Sequence, residues 1–172
     1  MFTDNPKSFV TTLYGTSSAG TLPVSTITGS MYGDENGWLT LGSSGWSREA
    51  QVFSFEFIER VGERLHYKVT AAPGTPYQDR YLNISRNGYL GFYASEPEGG
   101  YWKIEVLPKS KGNELYFWLR DAYGRRVGRY DTEMRTKPPV IPLPVGSAAF
   151  SFLNVVEGDD IVTFHAGAIR LF

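Results

Sequence analysis

The sequence predicts an all-β protein built of short strands, and three observations carry that expectation. Aromatic residues make up 15% of the 172 residues, alongside 19 Gly and 10 Pro, a composition suited to short strands and many turns. Apolar and polar residues alternate with a period of two in segment after segment, as half-buried strands require. These segments also recur in groups of four. Phe55, Trp102 and Phe150 fall at intervals of 47 and 48 residues, and Tyr67, Phe117 and Phe164 at intervals of 50 and 47. Self-similarity at a fixed period of about 47 residues marks a repeat architecture.

Taken in order, residues 1–36 form the least regular stretch. Phe9–Tyr14 and Val24–Thr28 are strand candidates there, because β-branched residues dominate them. Trp38–Leu41 alternates and Gly42–Gly45 turns before Trp46. Gln51–Glu59 alternates strongly, with Phe53, Phe55 and Phe57 on one face and Ser54, Glu56 and Ile58 on the other. Gly62 breaks that strand and Arg64–Thr70 follows. A second round opens at Arg80–Tyr93, read as two strands joined by a tight two-residue Asn87-Gly88 turn, since Asn-Gly suits positive φ. Tyr101–Leu107 places Trp102, Ile104 and Val106 on one face, and Glu114–Arg120 is the next strand. A looser third round contains Arg126–Tyr130, Ala149–Val156 and Ile161–His165, with Ala168–Phe172 as a closing strand. The four prolines of Lys137–Val145 predict an extended loop or an edge strand.

Three units of four strands are too few blades for a propeller, which needs four or more. A three-fold barrel capped by three hairpins, the β-trefoil, accommodates them. The expected organisation is therefore one β-trefoil domain over 1–172, with repeats at 37–79, 80–122 and 123–166 after the irregular segment 1–36. An up-and-down β-barrel is the alternative, since it too is made of consecutive short strands.

At the Arg80–Tyr93 hairpin and the Tyr101-Trp102-Lys-Ile-Glu strand after it, the chain resembles the β-trefoil superfamily, in particular fascin-like and growth-factor-like members. These carry a similar Arg-Tyr-Leu hairpin ahead of an aromatic strand. The resemblance spans about residues 37–166 and implies a lectin-like or protein-binding module. The Gln-x-Trp pattern of ricin-type lectin repeats is missing, so no ricin-type sugar residues carry over.

Charge excludes some functions. With 17 basic and 18 acidic side chains the net charge is −1, which argues against nucleic acid as a partner. The absence of Cys removes disulfides and thiolate metal sites. Met1–Val10 has no basic segment leading into an apolar run, and no stretch approaches the roughly 20 apolar residues of a membrane span. A soluble protein is expected, cytoplasmic or secreted by a leaderless route.

Catalytic signals are thin. His66 and His165 each sit in a strand flanked by apolar residues and read as structural, and none of the HExxH, GxSxG or P-loop patterns occurs. Asp159-Asp160 and the Glu96/Glu98 pair read as solvated turns rather than metal sites. No enzyme activity and no cofactor are expected. Arg120, Arg125, Arg126, Arg129 and Arg135, interspersed with Asp121, Asp131 and Glu133, read as local ion pairs, with an anion site as the alternative.

The aromatics are the most suggestive class. Sugar binding needs an exposed ring against the apolar face of a pyranose, with polar side chains for the hydroxyls. Trp46, Tyr89, Tyr93, Tyr123 and Tyr130 lie in or beside turns, near Asn87, Asp121 and Arg126. These eight residues form the expected ligand site, with a glycan or glycoprotein as partner. The alternative is protein recognition through Lys137–Val145, as in a protease inhibitor, a toxin or effector module, or a cytokine-like ligand.

Overall fold

The computed structural model describes residues 4–26, 37–42, 50–134, 148–155 and 160–172. Thirteen strands are present: β1 (Phe9–Ser17), β2 (Gly20–Thr26), β3 (Leu39–Leu41), β4 (Val52–Val61), β5 (Arg64–Ala71), β6 (Tyr81–Ile84), β7 (Leu90–Tyr93), β8 (Trp102–Val106), β9 (Leu115–Arg120), β10 (Gly128–Met134), β11 (Ala148–Asn154), β12 (Thr163–Ala166) and β13 (Arg170–Leu171). The fold is all-β, as composition and alternation predict.

Six strands close a barrel in the order β1–β4–β5–β8–β9–β12 and back to β1, every pair antiparallel. A closed barrel is the feature common to both architectures expected from sequence. Six of the seven remaining strands form pairs outside it, β2 with β3, β6 with β7, and β10 with β11, while β13 pairs with the start of β1. The three pairs meet one another through Thr40 opposite Phe152, Trp38 opposite Gly91 and Tyr89 opposite Asn154. The chain therefore leaves the barrel at one end through these pairs. At the other end it returns through the Gly62-Glu63 turn and the 107–114 connection.

Alternation puts one face of each barrel strand inside. Phe9, Phe53, Phe55, Tyr67, Trp102, Phe117 and Phe164 are all essentially without solvent exposure and belong to one apolar cluster. Phe9 stacks on Phe55 at 4.7 Å, and Phe55 meets Tyr67 and Phe117 edge-on at 5.9 and 6.2 Å. Such offset and edge-to-face contacts suit the ring quadrupole, so the barrel interior is a filled core rather than a channel.

Three local expectations are corrected. The segment 1–36 is not irregular throughout: the strand expected at Phe9–Tyr14 is present within β1, and the one expected from Val24 ends β2. Its strand β1 pairs with β4, β12, β2 and β13, and is among the most heavily paired in the fold. The hairpin at 85–89 is not a two-residue turn. Ser85 donates its N–H to the Tyr89 carbonyl and Gly88 donates to Ser85, and only Gly88 takes positive φ, 85°. That is a one-residue-longer loop ending in a glycine bulge, and Asn87 stays at negative φ. Finally, Phe55 and Trp102 lie on barrel strands β4 and β8, whereas Phe150 lies on β11, outside the barrel. The period drifts in its third round because hairpin strands alternate as barrel strands do.

The paired strands meet at a point with no spare room. A Cβ on Gly91 would stand 2.9 Å from the Gly37 carbonyl oxygen and 3.2 Å from the Trp38 Cα, both backbone atoms. Gly91→Ala is expected to destabilise the protein by about 1–3 kcal/mol, read as a lowered thermal midpoint. An unchanged midpoint would mean that this junction adjusts freely.

Candidate functional site

The turn that leaves β9 is built by Asp121. Its N–H donates to the Arg125 carbonyl at 3.1 Å, Gly124 donates back to the Asp121 carbonyl at 3.0 Å, and Gly124 takes φ 86°. The Asp121 carboxylate is buried. Oδ1 accepts the Arg125 backbone N–H at 2.8 Å and Oδ2 accepts Arg125 Nε and Nη2 at 2.7 Å each. A charged side chain stays buried here because every bond it needs is supplied.

A second loop, 95–100, faces this turn. Asn83 holds it by donating Nδ2 protons to the carbonyls of Ser95 and Glu96, both at 3.0 Å. Gly99 and Gly100 take φ 78° and 73°, which lets the chain double back into β8. Between loop, turn and hairpin lies a recess of about 170 Å³. Asn83, Pro97, Glu98, Tyr101, Asp121 and Tyr123 line it. Trp102 backs it and donates its indole N–H to the Leu82 carbonyl at 2.8 Å, joining barrel to hairpin.

Tyr123 stands at the mouth with 67% of its surface exposed. Its ring lies 5.5 Å from the Arg125 guanidinium, and a hydrogen bond to Glu98 raises its phenol above the usual range. An exposed flat ring thus sits beside an amide, a carboxylate and a guanidinium. The arrangement can pack one apolar ligand face and bond hydroxyl groups around its edge.

The structure divides the expected site. Asp121 and Tyr123 come together in this recess. Tyr89 packs among Trp38, Phe152 and Tyr130 at 5.4, 5.2 and 6.0 Å, where the strand pairs meet. Tyr93 is half-buried in β7 rather than in a turn, and burial pushes its phenol up while the Trp38 and Ser85 side chains pull it down. Tyr130 is exposed but lies on β10, and Asn87 is exposed at the hairpin tip. Arg126 lies over Trp118 at 3.9 Å. Tyr89, Tyr93, Asn87, Arg126 and Tyr130 do not line the recess. Trp46, the Lys137–Val145 segment and Arg135 lie outside the described residues.

Asn83 and Tyr101 are not among the site residues expected from sequence, and Glu98 reads there as part of a solvated turn. Glu98 carried the only visible signal, a carboxylate set between Pro97 and a Gly-Gly pair. A larger recess of about 470 Å³ lies at the opposite barrel end, between the β4–β5 turn and residues 107–114, and no expected site residue lines it.

Both histidines are engaged in stacking. His66 is buried, parallel to Tyr101 at 4.2 Å with Nδ1 3.3 Å from Glu59, and His165 stacks on Tyr116 at 4.4 Å. Asp160 is equally committed. Its carboxylate accepts the Ser18 N–H at 2.9 Å and the Ser18 hydroxyl at 2.7 Å, and pairs with Arg129 Nε at 3.1 Å. The Ser18 bonds lower its pKa below the ordinary 3.8, with the Arg129 charge adding to them. A carboxyl with a lowered folded pKa contributes stability that is complete above the unfolded value and lost as pH falls through the folded one. Asp160→Asn is therefore expected to lower stability at neutral pH and to flatten the fall in stability below about pH 4. Parallel acid titrations followed by circular dichroism would test this; identical acid limbs would contradict it.

Among the described residues, no group of three or more His, Cys, Asp or Glu side chains is placed to hold a metal ion, and no helix is long and apolar enough to cross a membrane. No family model, curated protein or solved structure matches the chain.

Proposed function

We propose that this protein is a β-trefoil that recognises carbohydrate without catalysing a reaction. The alternation of barrel strands with three outlying pairs supports the trefoil reading, since three hairpins around one end of a six-stranded barrel are its defining layout. The exposed ring of Tyr123 beside the small polar recess carries the functional reading. A pyranose presents one apolar face to stack on the ring and equatorial hydroxyls to reach Asn83, Glu98 and Asp121. Arg125 holds the Asp121 carboxylate in place, so it is preorganised rather than ordered on binding, which lowers the entropic cost. Fold alone assigns no function, and the site is the reason for the reading.

A glycan array probed with the labelled, folded protein tests it. Binding to one sugar class, competed by the free sugar, is the expected result. A blank array would overturn the reading and leave protein recognition through Lys137–Val145 as the standing alternative.

A further inference from the structure

On the outer wall of the barrel, away from the Tyr123 recess, β1, β12 and β9 present a continuous row of rings. Tyr14 lies 6.4 Å from His165 across the strand pair, and His165 stacks on Tyr116 at 4.4 Å and 15°. Lys109 Nζ stands 4.2 Å from the Tyr116 ring centre. Two residues further along β9 and on the same outward face, Trp118 donates its indole N–H to Thr163 Oγ1 at 3.2 Å, and the Arg126 guanidinium lies over its ring at 3.9 Å. The row is thus capped twice by a cation, at rings about 7 Å apart, two residues at roughly 3.4 Å each.

The charge balance of this wall differs from that of its surroundings. Arg120 is paired with Glu105, Arg125 with Asp121, and Arg129 with Asp131 and Asp160. Arg126 holds no carboxylate among the described residues, and its Nε is buried without an acceptor. Lys109 likewise has no acidic partner there. The outward residues Thr12, Tyr14 and Thr16 of β1 and Thr163 and His165 of β12 include no acid. Among the described residues beside the wall, Glu105, opposite Trp118, is committed to Arg120 at 2.6 Å and Asp160 to Ser18 and Arg129, while Glu114 stands exposed just before β9. Among the described residues, two cations without an ion-paired carboxylate therefore share a wall whose strands point no acid outward, on a protein of net charge −1.

We propose that this wall binds an acidic polysaccharide, with Arg126 and Lys109 receiving successive sulfate or carboxylate groups. A guanidinium offers a planar fork to such an oxyanion, and its stacking on Trp118 fixes the fork's orientation. The rings favour a glycan over single-stranded nucleic acid. Base binding requires bare ring faces. Here Tyr116 carries His165 and Lys109 against its ring, and Trp118 carries Arg126. Of the row's rings only Tyr14 stays more than a third exposed, so cations and hydroxyls are the main groups on offer, which suits a charged sugar chain. The site is independent of the Tyr123 recess.

The test is binding of the full chain to dextran sulfate, to polygalacturonate and to uncharged dextran of matched length at low ionic strength. Tighter binding of at least one charged polymer than of dextran is expected, and the preferred one tells sulfate from carboxylate. Lys109→Gln and Arg126→Gln, checked for folding by circular dichroism, should each weaken that binding roughly threefold to fivefold. The same losses are expected in a Tyr123→Ala background, where the recess cannot contribute. Equal binding of all three polymers, or a double Gln variant that binds as the parent does, would overturn the proposal. So would an oligo(dT) strand that binds as tightly with the same dependence on Arg126, because the wall would then belong to nucleic acid.

Discussion

Replacing Trp102 by alanine is expected to cost about 3–5 kcal/mol of stability and to separate the strand pair β6–β7 from the barrel. Two effects add. The side chain is fully buried on β8, and its removal leaves a cavity that close-packed neighbours fill only in part. The Leu82 carbonyl also loses its indole donor at 2.8 Å. Trp102→Phe separates the two, because it keeps most of the ring volume and drops the bond. Its cost should fall to about 1–3 kcal/mol. Urea midpoints for both variants check the order. Equal costs would place the whole effect in the lost hydrogen bond, and a cost below about 1 kcal/mol for alanine would contradict the filled barrel core.

Tyr123→Ala is expected to abolish most of the carbohydrate affinity while leaving the fold intact. A stacked ring that buries about 80 Å² of apolar surface contributes about 2 kcal/mol, or roughly thirtyfold in affinity. Because Tyr123 is two-thirds exposed, stability should change by no more than about 0.5 kcal/mol. Tyr123→Phe keeps the ring and loses only the bond to Glu98, so it should bind within a few-fold of the parent. Calorimetric titration with the array-selected sugar distinguishes these outcomes. An alanine variant that binds normally would remove Tyr123 from the site.

The strands most legible in the sequence are those with apolar residues at every inward position. β4, β8 and β9 read clearly because Phe53 and Phe55, Trp102 and Ile104, and Leu115, Phe117 and Leu119 all point inside. β1 is legible as a strand over Phe9–Tyr14 but not as one that closes the barrel. Its inward residues are Phe9, Thr11, Leu13 and Gly15, so polarity and a glycine dilute the pattern. Gly15 is there because a Cβ would stand 2.5 Å from Leu41 Cδ2 and 2.8 Å from Val162 Cγ1. Residues distant in sequence occupy that space, and local periodicity carries no trace of them. Phe150 shows the complementary limit, since alternation marks a strand as half-buried without telling barrel from hairpin.

The candidate site was half legible for a similar reason. Asp121 and Tyr123 stand in one turn, where an aromatic next to an acid is visible as a local pattern. Asn83 and Glu98 join them only because Asn83 clamps the 95–100 loop against that turn, a long-range contact. Tyr89 and Tyr93 looked like loop aromatics because the Asn87-Gly88 dipeptide lies next to them. The meeting of the strand pairs draws Tyr89 in among Trp38 and Phe152 instead, and Tyr93 lies half-buried on β7.

The most direct test of the carbohydrate reading is a two-dimensional amide NMR titration of the labelled protein with a panel of neutral monosaccharides at tens of millimolar. Saturable shifts are expected for at least one sugar at residues 83–84, 98–101 and 121–125, absent in the Tyr123→Ala variant. Shifts confined to other parts of the fold, or no shift with any sugar in the panel, would contradict it.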